Sequence, residues 1–476
     1  MARCCCCSSR VLCLCLLPCM MMGHLLIYIL VSIFVTISYN SSQAPPPQLP
    51  LHFVAPGASK NSVAVASHPL GPFWNLRLQD GALWNRLQHQ LDRRHNPILR
   101  VRRRGGNRTL GGGVNGAEMP PAPCELRPQG SALLPDFSEL PQQMRDFVLS
   151  MHCRTYPLLM DQPHLCAPRR PLVGPRAQGD ADAPTLLMAI KSQVGNFESR
   201  QAIRETWGRS GWVAVESGGA RGGGGGGGGG GRGGLVRTVF LLGRQDSSTG
   251  PHPNLDALLE LESRRHGDIL QWDFRDTFFN LTLKDVLFWD WLGRRCPDAH
   301  FLFKGDDDVF VRTGALLDYL LSQTPRTLPN NNNNNINNNN SATEAVWDFL
   351  VGDVISHAWP NRQPETKYFV PESFYAGVYP AYAGGGGVVY SGWLARRLRQ
   401  VSAQVQLFPI DDVYLGMCLR RLGLAPTHHP GFMTFDLPEA HRDKPCAYRN
   451  VILAHKRSPR QMLMLWRQLR ETLHTC

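Results

Sequence analysis

The run Phe301-Leu302-Phe303-Lys304-Gly305-Asp306-Asp307-Asp308-Val309-Phe310-Val311 constrains this chain more than any other stretch. Apolar residues end abruptly in three acids and then resume. A short apolar run of this kind is consistent with a buried strand. Three adjacent carboxylates repel one another, so a fold that keeps them must compensate their charge. A hard divalent cation does so, because Mg2+ and Mn2+ prefer carboxylate oxygens and leave positions open for phosphate oxygens. An acidic surface turn after a buried strand would carry the same residues.

The flanking sequence sets the fold class. A helical pattern begins within Pro141–Tyr156, at Met144, Phe147 and Val148. From there apolar runs alternate with amphipathic segments, which predicts α/β layers. Strands are expected at Leu186–Ile190, Thr238–Gly243, Asp268–Phe274, His300–Lys304 and Trp347–Ile355. Helices are expected at Phe197–Trp207, Leu255–His266, Thr282–Arg295 and Trp393–Val401. Continuous apolar strands suit a parallel sheet covered on both faces. Ligands bind such sheets beyond the carboxyl ends of the strands, where the acids fall.

Two further stretches bear on chemistry. Tyr382-Ala383-Gly384-Gly385-Gly386-Gly387 lacks a phosphate-loop lysine motif but suits a close approach of backbone to a ligand or another segment. Pro409-Ile410-Asp411-Asp412-Val413 opens a helix with two acids in its first turn. One acid would serve the free N–H groups and the dipole. Two adjacent acids point in different directions, which leaves one for chemistry.

The N-terminus predicts the compartment. Arg3 and Arg10 precede a mostly apolar run over residues 11–38, long enough to span a bilayer. The basic side is short, so residues 1–10 would stay cytosolic and the rest would not. No convincing cleavage site follows, so a signal anchor is expected in place of a cleaved signal peptide. Cys4 to Cys7 beside it are palmitoylation candidates or plain thiols. Residues 39–140 are rich in Pro, Gly and Arg and read as a stem, with Trp74 and Trp84 hinting at a short helix. Many of the arginines behind the formal net charge of +12 lie in that stem. No nucleic-acid-binding pattern accompanies them, so nucleic acid is not expected as a partner.

Seven of the 14 cysteines lie in or before the apolar run. The others are Cys124, Cys153, Cys166, Cys296, Cys418, Cys446 and Cys476. In an oxidising lumen they would mostly pair, and an odd count leaves one over. Cys153 and Cys166 are close enough to staple a short loop, and Cys418 and Cys446 are further disulfide candidates. Sequons at Asn107 and Asn280 fit a luminal chain, while those at Asn40 and Asn339 lie near the membrane and in a repeat. Two low-complexity inserts, 221–234 (Gly) and 330–340 (Asn), cannot bury a core and read as surface loops.

Together these blocks resemble one family. Arg200-Gln201-Ala202-Ile203-Arg204-Glu205-Thr206-Trp207-Gly208, Phe274 to Thr282, the acidic strand, Tyr382 to Gly387 and Pro409 to Tyr414 follow in the order seen in the Golgi β-1,3-glycosyltransferases. Cys153-Arg154-Thr155-Tyr156 followed by Asp161-Gln162-Pro163 is similar to the β-1,3-N-acetylglucosaminyltransferase branch. The resemblance covers about Pro141 to Cys476. It implies a GT-A-type α/β domain at 141–476, a luminal type II Golgi membrane protein, UDP-N-acetylglucosamine (UDP-GlcNAc) as donor, and Mn2+, with Mg2+ as a substitute. The implied acceptor is a β-galactose-terminated glycoprotein or glycolipid, and the reaction inverts the anomeric carbon. A homodimer or a complex with other Golgi transferases is a candidate assembly.

By the resemblance, Asp308 and His455 would ligate the metal, with Asp306 holding ribose or sugar and Asp307 assisting. Asp412 would be the base, with Asp411 its neighbour or cap. Lys191, Arg200 and Arg204 could reach the diphosphate or uracil, beside Gly385 and Gly386. Tyr382 and Trp393 could stack on a sugar, or sit in the core. A UDP-galactose-dependent galactosyltransferase, a silent glycan-binding homologue and a hydrolase with paired acids are the competing readings.

Overall fold

The runs expected as strands assemble into one central sheet in the computed structural model, which describes residues 81–95, 124, 134–166, 183–216, 232–245, 255–323, 348–472 and 476. The apolar run 11–38, the glycine run 222–231, the asparagine run 330–340, the Cys4–Cys7 cluster and the sequons at Asn40, Asn107 and Asn339 lie outside them. Among the described residues no helix is long and apolar enough to cross a membrane.

The first elements are α1 (Leu83–His95), α2 (Gln142–Ser150), β1 (Leu158–Met160), β2 (Leu186–Lys191), α3 (Phe197–Glu205), β3 (Gly211–Ala214) and β4 (Gly233–Arg244). Next come α4 (Asp256–His266), β5 (Ile269–Arg275), α5 (Leu281–Arg295), β6 (Phe301–Asp306), β7 (Phe310–Val311) and α6 (Thr313–Gln323). Then follow β8 (Leu350–Gly352), β9 (Val354–Ile355), β10 (Tyr382–Ala383), β11 (Gly387–Ser391) and α7 (Gly392–Ser402). The chain closes with α8 (Asp411–Arg421), β12 (Thr427–His428), β13 (Phe432–Met433), β14 (Leu453–Ala454) and α9 (Pro459–Thr472).

The sheet runs β1-β5-β4-β2-β6-β11-β8-β12, with β3 beside β4. Strands β5, β4, β2 and β6 run parallel to one another, so their C-terminal ends share one edge. Lys191 sits opposite Asp306 there. Strand β11 is antiparallel to β6 and starts at the same edge, with Gly387 opposite Gly305. Helices cover both faces of the buried strands, and the two apolar cores lie on either side. This is why β2 reads LLMAIK with every residue buried.

Each insert precedes a strand of the main sheet. The glycine run joins the end of β3 to the start of β4. The asparagine run precedes β8, which begins beside the N-terminal end of β6 through Tyr390 and Ser391. Strands β4 and β8 therefore both begin at the edge opposite Asp306.

Three expectations change. The stretch 39–140 is not all stem, because α1 lies within it and is fastened to the domain. Trp84 is fully buried against Tyr375 and Phe408, and its indole N–H donates to the Leu407 carbonyl. Asn85 donates to the Ala376 carbonyl and Asp92 pairs with Arg421. The Pro- and Arg-rich sequence around α1 masked its apolar face. The single strand expected at Trp347–Ile355 is two, because the chain leaves the main sheet after Gly352 and β9 pairs with β10.

The cysteine pairing also differs. Cys124 joins Cys153, Cys166 joins Cys296, and Cys446 joins Cys476. Cys153 and Cys166 do not close the short loop expected of them, because each lies beside a cysteine brought close by the fold. Cys418 is the unpaired one; it is buried in α8, and burial pushes its thiol up to about 12. Cys446, expected in a bridge, is in one.

Candidate active site

The acids of β6 and the following turn are held in three different ways. Asp307 turns inward: one carboxylate oxygen accepts from Ser192 Oγ at 2.6 Å and Asn196 Nδ2 at 2.9 Å. Asp306 lies at the strand end, 3.0 Å from Lys191 Nζ. Asp308 faces outward, with Oδ1 3.3 Å from His455 Nε2. Its backbone carbonyl accepts from the Arg457 N–H at 2.6 Å, which fixes the turn against the C-terminal segment.

His455 follows β14, which pairs with β7 directly beyond the acids. Its Nδ1 bonds the Thr434 carbonyl at 2.9 Å. A carbonyl can only accept, so Nδ1 carries the proton and Nε2 keeps its lone pair when the ring is neutral. Burial would raise the Asp308 carboxyl, but the facing His455 outweighs it and the carboxyl lies below its ordinary value. Burial likewise would lower His455, but Asp308 raises it.

Asp306, Asp308 and His455 have ligand atoms within 4.8 Å of one another. Asp308 Oδ1 is shielded from water and faces only His455 Nε2, which donates to it when the ring is protonated and leaves it open to a cation when the ring is neutral. Two hard oxygens with an imidazole nitrogen fit a divalent cation of the Mn2+ or Mg2+ kind. The other cluster of ligating types, Cys124, His152 and Cys153, has its two sulfurs joined to each other and is not a metal site.

The second station is the first turn of α8. Asp411 is buried, and its Oδ2 accepts from Lys191 Nζ at 2.6 Å and from Lys304 Nζ at 3.2 Å. Burial would raise this carboxyl, but the two ammonium groups hold it well below its usual range. It does not cap the helix. Asp412 points elsewhere. Its Oδ1 accepts from the Val413 N–H, and Oδ2 would lie 3.4 Å from a Cβ at Gly385. Burial, and then the charge of Asp411, push its carboxyl up to about 7. A Cβ at Gly386 would stand 3.2 Å from the His455 ring. The glycine segment thus passes between the two stations, close to both.

The other expected contacts separate clearly. Tyr382 is half-buried beside Asp412, whose charge adds to burial in raising its hydroxyl. Trp393 is not at the site. Ser391 pairs with Phe301 while Gly387 pairs with Gly305, so β11 carries Trp393 roughly 14 Å away to the other edge. Arg200 and Arg204 share one helical face, as their spacing predicts. That face meets α4 in place of a ligand: Arg200 is fully buried on Glu262, and Arg204 binds Glu262 and Asp268. Arg200 also donates to Ser192 Oγ, the group that holds Asp307. Lys191 reaches the site, but its ammonium is already shared between Asp306 and Asp411. Asn280 is half-buried and its amide donates to the Arg275 carbonyl.

Sequence reasoning missed Lys304, Asp285, Ser192 and Thr434. Lys304 had a visible signal, as a cation inside an otherwise apolar strand. The others are brought close only by the fold.

An α/β sheet carrying a metal-type Asp/His cluster and a separate basic carboxylate at one edge is the frame of a nucleotide-sugar glycosyltransferase. Comparison with known proteins identifies the family. The galactosyltransferase family model matches residues 198–430. N-acetyllactosaminide β-1,3-N-acetylglucosaminyltransferase 2 of Mus musculus is 40% identical over 97% of this chain and 98% of its own length. Its Homo sapiens counterpart is 39% identical over 97% and 98%. UDP-GlcNAc:betaGal β-1,3-N-acetylglucosaminyltransferase 9 of Bos taurus is 42% identical over 66% of this chain and 71% of its own. The chain belongs to the β-1,3-glycosyltransferases of glycosyltransferase family 31 and is a glycosyltransferase.

Proposed function

We propose that the chain transfers N-acetylglucosamine from UDP-GlcNAc to the 3-hydroxyl of a terminal β-galactose, with inversion. The Bos taurus relative carries UDP-GlcNAc and β-galactose in its name, and the Mus musculus and Homo sapiens relatives are named as β-1,3-N-acetylglucosaminyltransferases of N-acetyllactosaminide. The observation that supports it best is the pairing of the Asp306/Asp308/His455 cluster with a separate carboxylate, Asp412, on either side of one glycine segment. The arrangement corresponds to a GT-A-type domain.

The chemistry divides between the two stations. Asp308 and His455 would hold a divalent cation, with Asp306 beside it on the ribose or donor sugar. That cation supplies charge neutralisation for a leaving diphosphate. Asp412 in its ionised form accepts the proton of the 3-hydroxyl as that oxygen bonds to the anomeric carbon. The bond from the anomeric carbon to the diphosphate oxygen breaks, and UDP leaves with the electron pair. One displacement inverts the centre, so no nucleophilic side chain is needed. Gly385 and Gly386 keep the space beside Asp412 and His455 free of side chain. Tyr382 borders the acceptor side.

The run 11–38 is proposed as a signal anchor that places the chain beyond it in the Golgi lumen. The disulfides fit an oxidising compartment. The test is UDP release from UDP-GlcNAc and from UDP-galactose, each with N-acetyllactosamine or lactose, with and without Mn2+. Metal-dependent release with UDP-GlcNAc, and a β-1,3 linkage in the product, are expected. Preference for UDP-galactose, or no transfer to any β-galactoside, overturns the proposal.

A further inference from the structure

Beneath the two stations lies a line of buried charges that the transfer itself does not use. Asp285 on α5 and Lys304 on β6 are both almost wholly buried, and Lys304 Nζ is 2.6 Å from Asp285 Oδ2. The same ammonium reaches Asp411 Oδ2 at 3.2 Å. Lys191 meets that oxygen from the other side at 2.6 Å and continues to Asp306 Oδ1 at 3.0 Å. One oxygen of Asp411 is therefore held by two ammonium groups from neighbouring strands, β6 and β2.

We infer that Lys304 is a positioning residue for transfer: by gripping Asp411 from the core, it fixes the first turn of α8 and so aims Asp412 at the acceptor hydroxyl.

The geometry distinguishes the two lysines. Lys191 is also bonded to Asp306, a residue on the donor side, so its hold on Asp411 follows whatever happens there. Lys304 is bonded only to Asp411 and to Asp285, and Asp285 sits in the core on α5. Lys304 itself stands on the buried strand β6, so its hold on Asp411 ties the base-bearing turn to the sheet whether or not Asp285 is charged. Successive helical residues are turned by about 100°, so a small roll of the turn about its axis swings Asp412 away from the segment at Gly385. The inference rests on the reading of Asp412 as the base.

Removing Lys304 alone leaves Asp285 buried and unpaired, which threatens folding. The informative comparison is Asp285→Asn against Asp285→Asn/Lys304→Met. Both variants lose the buried ion pair, but only the second loses the grip on Asp411. Each is assayed as the full folded chain, with thermal unfolding, UDP affinity in Mn2+, donor KM and kcat measured beside wild type. Asp285→Asn should keep kcat within about threefold of wild type. The double variant should lose at least about tenfold more in kcat, with UDP affinity and donor KM within about twofold. A merely structural pair would make the two variants alike, so equal kcat values overturn the role. A loss of UDP affinity in step with kcat also overturns it, since the donor side would then have collapsed. Absence of transfer in the wild-type chain overturns the functional reading itself, whereas transfer there with equal variants overturns only Lys304.

Discussion

His455 Nε2 stands 3.3 Å from Asp308 Oδ1, and the opposite ring nitrogen is spent on the Thr434 carbonyl. Second-neighbour bonds of this type fix the tautomer and aim the free nitrogen of a metal-binding histidine. Asp308→Asn and His455→Ala should each weaken Mn2+-dependent UDP binding by at least about tenfold. Titration calorimetry with UDP, with Mn2+ and after chelation, checks this. Binding that ignores both variants and the chelator would remove the metal from the site.

Asp412 is the residue on which turnover is expected to depend most. Asp412→Asn keeps the shape but cannot accept a proton, so kcat should fall by about 10^2 to 10^4 while UDP affinity holds. Its carboxyl is raised to about 7, chiefly by burial. The base works ionised, and a raised value means that form is lost as pH falls through about 7. Turnover at saturating substrates should therefore rise with pH through that region and level off above it. A flat profile from pH 5 to 8, or an active Asp412→Asn, would move the base elsewhere.

Trp84 tests where the folded domain begins. Its side chain is fully buried against Tyr375 and Phe408, far along the chain from α1. Trp84→Ala should cost about 3–5 kcal/mol of stability. A chain starting at residue 141 should lose the α1 contacts altogether and unfold at a lower temperature. Equal melting of the two lengths would show that α1 adds nothing.

The disulfides give a chemical check. Peptide mapping without reduction should recover Cys124 with Cys153, Cys166 with Cys296, and Cys446 with Cys476. The bridge from Cys166 closes the longest loop, 130 residues. Its removal should cost on the order of 5 kcal/mol by loop entropy. Cys418→Ala should leave the map unchanged, because that thiol is buried and unpaired.

The parts legible in the sequence were those whose signal is local. Continuous apolar runs marked β2, β4 and β6, and the acid cluster marked their shared edge. The helix at Asp411 announced itself by residue type, as did the close-approach glycines. What was not legible depends on partners distant in the chain. Arg200 and Arg204 look like a free basic face until α4 brings Glu262 against them. Trp393 follows the glycine segment closely in sequence, yet one strand's length carries it to the far edge. Cysteine spacing favoured a short loop, while the sheet placed Cys166 beside Cys296. The Asp285–Lys304–Asp411 line needed three elements to meet, and no one stretch contains more than one of its members.

The strands that follow the two low-complexity runs, β4 and β8, begin at the edge away from Asp306, which has a consequence for inheritance. Homopolymer tracts gain and lose units by slippage during DNA replication. Here the resulting alleles would differ in length only where β4 and β8 begin, with the whole strand standing between the change and the reacting groups. A change of length there leaves the strand ends that carry Lys191 and Asp306 a full strand away.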